Sequence, residues 1–209
     1  MFNLLTYFAI QHAVGFTTFD LLTPLDELIP LVPEFIWLYN TLIPVILISA
    51  VVLIRTRKIF WSTCVAFIIA TIVLDIFYIA LPSFYPREDF VVSSISEWAL
   101  ELTRKIDGSN NTFPSGHVTL SWLLFWSIVH SKCMEGRTAI KTMYGVWALL
   151  ISASTLTLKQ HYIADVVSGF ALAYGCWLAG EWFVERLEKQ KSPQELEAVV
   201  LESSPQLTE

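Results

Sequence analysis

Apolar residues in this chain fall into runs long enough to cross a bilayer, and no other feature narrows the possible folds so far. A helix rises about 1.5 Å per residue, so a hydrocarbon layer of about 30 Å takes about 20 apolar residues to cross. Pro33 to Ile54, Ile59 to Leu81, Ala139 to Leu158 and Tyr162 to Phe183 have that length. His117 to His130 approaches it once its flanking turn and Ser131 are added. The run Phe2 to Phe16 has fifteen residues and is either a short first span or an interfacial helix. Hydrocarbon offers the backbone no water to bond with, so continuous apolar runs must satisfy their own N–H and C=O groups as helices. The expected fold is all-α, a polytopic membrane bundle of five or six transmembrane helices.

Composition then limits the classes of partner. Charged residues make up 15% of the chain, against about 25% in soluble domains. A single transmembrane domain is expected over residues 1–188. The polar stretch 189–209 lacks an apolar face and is expected to be a disordered cytoplasmic tail. The net charge of −6 argues against a nucleic-acid partner. Cys64, Cys133 and Cys176 have no paired spacing and read as small core residues. The first sixteen residues lack a basic start and a small-residue cleavage site, so no cleavable signal peptide is expected.

Basic residues orient the bundle. Arg55, Arg57, Lys58, Lys132, Arg137, Lys141, Arg186, Lys189 and Lys191 occupy alternate connections, nine of the thirteen in the chain, which makes that side cytoplasmic. Arg87, Arg104, Lys105 and Lys159 fall on the other face, where the charge rule gives no reason for them. The same face receives FYPRED, FPSGH and KQHYIAD. His161 and Asp165 are four residues apart and share a face if helical, so the carboxylate can hold Nδ1–H and leave Nε2 as nucleophile or base. His117 follows Ser115 and Gly116 at an expected helix N-terminus, where free N–H groups suit an anion and glycine lets the backbone come close. Arg87 follows Pro82 and Pro86, and its fork matches phosphate oxygens, although a headgroup anchor is the plainer role for an arginine there. These groups together point to phosphoryl transfer. No His, Cys or carboxylate cluster has metal-ligand spacing, so neither metal nor cofactor is expected.

PSGH at Pro114–His117 and HYIAD at His161–Asp165 resemble the second and third signatures of the type-2 phosphatidic acid phosphatase superfamily. The resemblance runs from about Asp26 to about Phe183. It implies that His161 attacks phosphorus, Asp165 orients it and His117 protonates the leaving group, with Ser115, Gly116 and Arg87 binding phosphate. The chain departs from that pattern at the cations. The family's first motif has a lysine seven residues before its arginine and a proline after it, where this chain has Ala80 and Glu88. Its third motif begins Ser-Arg, where this chain has Ser154 and Thr155. Lys159, two residues before His161, is the candidate to replace one missing cation, a snorkelling anchor being its ordinary alternative.

STLTLKQHYIAD is similar to the branch that contains inositol phosphorylceramide synthases and their bacterial relatives. The resemblance therefore implies one of two enzymes, each with its site on the non-cytoplasmic face. One is a metal-independent phosphatase that hydrolyses a phosphomonoester or pyrophosphate of a phosphatidic acid-like or isoprenyl lipid through a phosphohistidine. The other is a phosphotransferase that moves a phosphoryl or phospho-headgroup onto another lipid hydroxyl. A transporter or scaffold that keeps the fold without the chemistry is the alternative outside enzymes. Between Arg87 and Pro114, the apolar residues Val91, Val92, Ile95, Trp98, Leu102 and Ile106 recur at helical spacing between charges. They predict an amphipathic interfacial helix, either a lid or ramp for lipid or a cap on the bundle.

Overall fold

Helix ends in the computed structural model, which describes residues 21–53, 57–87 and 89–190, fall where the sequence supplies caps, prolines and polar breaks. A short helix α1 (Pro24–Glu27) follows Thr23, and α2 (Ile36–Tyr39) follows a 3-10 turn at Pro33–Phe35. Next come α3 (Leu42–Leu53), α4 (Arg57–Ala80), α5 (Ile95–Ile106), α6 (Gly116–His130), α7 (Thr138–Thr157) and α8 (Ile163–Lys189). The run Pro33 to Ile54, read from sequence as one uninterrupted span, bends at Asn40 and Thr41. Pro44 explains the break: it has no N–H to give the Asn40 carbonyl, and its ring crowds that turn. The boundaries of the other expected spans lie within a residue or two of expectation, except that α8 continues past Phe183 to Lys189. Arg186 and Lys189 in its last turn complement the helix dipole there. The expected run Phe2 to Phe16 and residues 191–209 of the expected tail lie outside the described residues.

Among the described residues, four stretches are long and apolar enough to cross a membrane: Pro33–Ala50, α4, α7 and α8. The 15-residue α6 is shorter, about 22 Å, yet it packs against α8, α7, α4 and α3 and so occupies the middle of the bundle. Ile68, Ile72, Ile76 and Ile79 form an outward stripe on α4, each more than half exposed. Such a stripe suits hydrocarbon rather than water.

Small residues bring the central helices together. A methyl group at Gly180 would sit 2.5 Å from the Ser62 carbonyl and 2.8 Å from Ala66 Cβ, so α8 touches the backbone of α4. A methyl at Gly169 would sit 2.8 Å from the Ser115 carbonyl, at the start of α6. Close approach of this kind is how membrane helices gain packing energy when lipid is as apolar as leucine. Thr119 Oγ1 bridges the same junction, 2.8 Å from the Ser115 carbonyl and 3.2 Å from that of Gly169.

The amphipathic helix α5 begins at Ile95, later than its apolar pattern, because Ser94 and Glu97 form a capping box. Hydrogen bonds from the Ser93 side chain and backbone, with those from Ser94, hold the Glu97 carboxyl below the ordinary carboxylate range. Ile95, Trp98, Leu102 and Ile106 face outward, whereas Ala99 and Leu100 are buried. The C-terminal ends of α4 and α7 and the N-terminal ends of α6 and α8 meet at one end of the bundle. At the other end Lys58 Nζ pairs with Glu185 at 2.8 Å.

Candidate active site

The chain leaving α4 builds one wall. Ser83, fully buried, accepts hydrogen bonds on Oγ from Thr112 N at 3.1 Å, Thr112 Oγ1 at 2.7 Å and Phe113 N at 2.8 Å. An isolated antiparallel bridge between Phe84 and Asn110 extends the pairing. The segment entering PSGH is thus fixed before the helix begins. Ser115 then caps α6, its N–H donating to the Asp165 carbonyl at 3.1 Å. Tyr78 Oη donates to the Pro114 carbonyl at 3.1 Å, and the missing Cβ of Gly116 leaves room for that hydroxyl.

His161 sits in the break between α7 and α8. The Thr155 carbonyl accepts from both Gln160 N (3.0 Å) and His161 N (3.2 Å), and Lys159 takes a left-handed φ of 53° that ends the helix. Asp165, at the third position of α8, accepts the Tyr162 N–H on Oδ2 at 2.9 Å and lies 3.3 Å from His161 Nδ1. The Thr112 carbonyl lies nearer, at 2.9 Å from the same nitrogen. A carbonyl oxygen can only accept, so Nδ1 carries a proton, and in the neutral ring this tautomer leaves the lone pair on Nε2. His161 is 8% exposed and Asp165 fully buried, so the clamp is shielded from competing water. Asp165 Oδ1 has no hydrogen-bond partner among the described residues.

A cavity of about 350 Å³ opens here, and His161, His117 and Gly116 all line it with Tyr39, Tyr78 and Asp107. The His117 ring stacks on Tyr39, with centroids 3.9 Å apart and planes inclined by 22°. Tyr39 Oη donates to Asp107 Oδ2 at 2.9 Å. Among the described residues no lysine or arginine lines this cavity. No group of three or more His, Cys, Asp or Glu residues among them could hold a metal ion.

Both candidate phosphate cations are directed elsewhere. Arg87 donates to the Arg104 carbonyl at 2.9 Å, the Asp107 carbonyl at 2.8 Å and Gln160 Oε1. With Arg104 and Lys105 it lines a second cavity, of about 440 Å³, beside Asp89 and Glu101. The break required for Lys159 to turn is present, but its ammonium reaches the Asp26 carbonyl at 2.8 Å. Asp26 Oδ1 in turn accepts the Ile163 N–H at 2.7 Å, so this contact braces the start of α8. The structure therefore gathers His161, Asp165, His117, Ser115 and Gly116 at one site. Arg87 donates to the main-chain carbonyls of Arg104 and Asp107 and to Gln160, and the Lys159 ammonium is held at Asp26. Sequence reading missed Thr112, Ser83, Tyr39 and Asp107. A main-chain acceptor leaves no mark in sequence, and Tyr39 is one aromatic among many in an apolar run.

Apolar helices with buried polar ends and a histidine pair at one mouth fit a helical membrane protein whose site handles a polar group at the lipid boundary. Residues 55–189 match the family model of the PAP2 superfamily, well over half of the 209-residue chain, and the chain belongs to that superfamily. Members are generally phosphatases or phosphotransferases. No curated protein and no solved structure matches the chain.

Proposed function

We propose that this protein is a membrane-embedded phosphatase that hydrolyses a lipid phosphate through a phosphohistidine at His161. The observation that carries the reading is the clamp on His161 Nδ1 by the Thr112 carbonyl and Asp165, in the cavity His117 also lines. Nε2 attacks phosphorus, an N–P bond forms, and the P–O bond to the lipid alcohol breaks. The His117 proton goes to the departing oxygen, giving the free alcohol. Water then attacks phosphorus and gives a proton back to His117, the N–P bond breaks, and His161 and inorganic phosphate are restored. The positive end of the α6 dipole at Ser115–His117 favours the developing anion. The positive-inside rule puts this mouth on the non-cytoplasmic side, with the tails of the substrate remaining in the bilayer.

A second reading is transfer to a lipid hydroxyl, in line with the similarity of STLTLKQHYIAD to the inositol phosphorylceramide synthase-like branch. The lack of Lys and Arg in the cavity lining among the described residues, together with Asp107, favours it. A phosphodiester brings one negative charge to that carboxylate, where a monoester brings up to two. The test is purified protein, with EDTA present, given radiolabelled lipid phosphate with and without lipid alcohols. The expected result is an acid-labile phosphoryl group on His161 that water discharges. Discharge only to lipid alcohol would select the second reading, and no label on His161 would end both.

A further inference from the structure

Tyr39 lies outside the segment that matches the superfamily, yet its ring forms the floor under His117. We infer that Tyr39 and Asp107 are a positioning pair that holds His117 and favours its protonated, proton-donating form. The inference rests on the acid role given to His117 above.

Among the described residues the His117 ring nitrogens have no hydrogen-bond partner, so the stack is what orients the ring. A phenol that donates to a carboxylate gains electron density, and the face of its ring then attracts a cation more strongly. Asp107 adds a negative charge on the same cavity wall. Neither member of the pair can drift. Tyr39 is 2% exposed and packs with Ile36, Ala99, Leu100 and Leu158. The neighbouring Trp37 Nε1 donates to Ser96 Oγ at 3.0 Å, tying α2 to α5. Asp107 ends α5, its N–H donating to the Thr103 carbonyl at 2.7 Å while its own carbonyl accepts Arg87. The titratable groups that share the cavity with His117 are Tyr39 from α2, Tyr78 from α4, Asp107 from α5 and His161 from the α7–α8 link. Of these, Asp107 is the carboxylate, and it touches the Tyr39 hydroxyl whose ring carries His117.

The experiment follows the titration of ¹³C-labelled histidine by NMR in full-length protein in detergent micelles. It compares wild type with Asp107→Asn, which keeps an acceptor for Tyr39, and Tyr39→Phe, which keeps the stack. The expected result is that the His117 midpoint falls in both variants while that of His130, at the far end of α6, stays fixed. Turnover of an alkyl phosphate lipid should drop about tenfold in each, with the alkaline limb of its pH profile moving to lower pH. A nitrophenyl phosphate, whose leaving group needs no proton, should lose much less. An unmoved His117 midpoint in both variants, or equal losses on the two substrates, overturns the pair. Survival of activity in His161→Ala would instead overturn the functional reading and leave the titration result standing.

Discussion

The two histidine-bearing regions of the cavity are held by different forces. At the α7–α8 link, His161 is fixed by a main-chain carbonyl and a carboxylate on one nitrogen, inside a buried network. At the start of α6, His117 is held by the face of an aromatic ring, with no hydrogen bond to its nitrogens among the described residues. A nucleophile needs one tautomer throughout the reaction, and hydrogen bonds specify tautomers. A group that gives up a proton and takes it back needs a support that tolerates both states, which a stacked ring provides.

The largest expected effect tests the clamped side. His161→Ala should lower kcat by at least about ten-thousandfold with every leaving group, since the proposed reaction forms its N–P bond at that side chain. Appreciable turnover by purified His161→Ala protein removes the contrast altogether. His117→Ala should cost about 10²–10⁴-fold on alkyl esters while still forming phosphoenzyme from nitrophenyl phosphate. Equal loss of both activities would mean the stacked histidine also binds phosphate. Asp165→Asn comes next, at about tenfold to a hundredfold in kcat, because the Thr112 carbonyl still holds Nδ1–H and asparagine still caps Tyr162. A loss as large as that of His161→Ala would show that the carbonyl alone cannot fix the ring. Lys159→Met should have the smallest effect, within about threefold in kcat, together with a lower thermal midpoint from loss of the Asp26 contact. Were Lys159 a phosphate ligand, kcat would fall by a hundredfold or more, since one such donor is worth about 2.7–4 kcal/mol.

The helices were legible because lipid demands long apolar runs, and α4, α6 and α7 begin and end close to where those runs do. PSGH and HYIAD were legible because Ser115, His117, His161 and Asp165 have few other reasons to sit at the mouths of spans. The bend at Asn40 was missed because Asn40, Thr41 and Pro44 are isolated breaks in a run that is otherwise long and apolar enough to read as one span. Arg87 and Lys159 show the limit of reading charge from sequence. Position put both at the same end of the bundle as the histidines, but among their acceptors are the carbonyls of Arg104, Asp107 and Asp26, and a carbonyl can belong to any residue type. Thr112 and Tyr39 were invisible for the same reason, one acting through its backbone and the other through a ring face.

The contact at Gly169 has a mechanical consequence. Main-chain atoms of α8 bear directly on the Ser115 carbonyl, with no flexible side chain between them to act as a spring. A bilayer that thins or thickens can tilt this pair of helices, but it tilts them as one stiff lever. The spacing of the two backbone segments that carry the imidazoles is therefore set at this point by hard-sphere contact rather than by the surrounding lipid. The catalytic spacing should hold as acyl chains lengthen or shorten, leaving membrane thickness to govern how easily a substrate reaches the mouth.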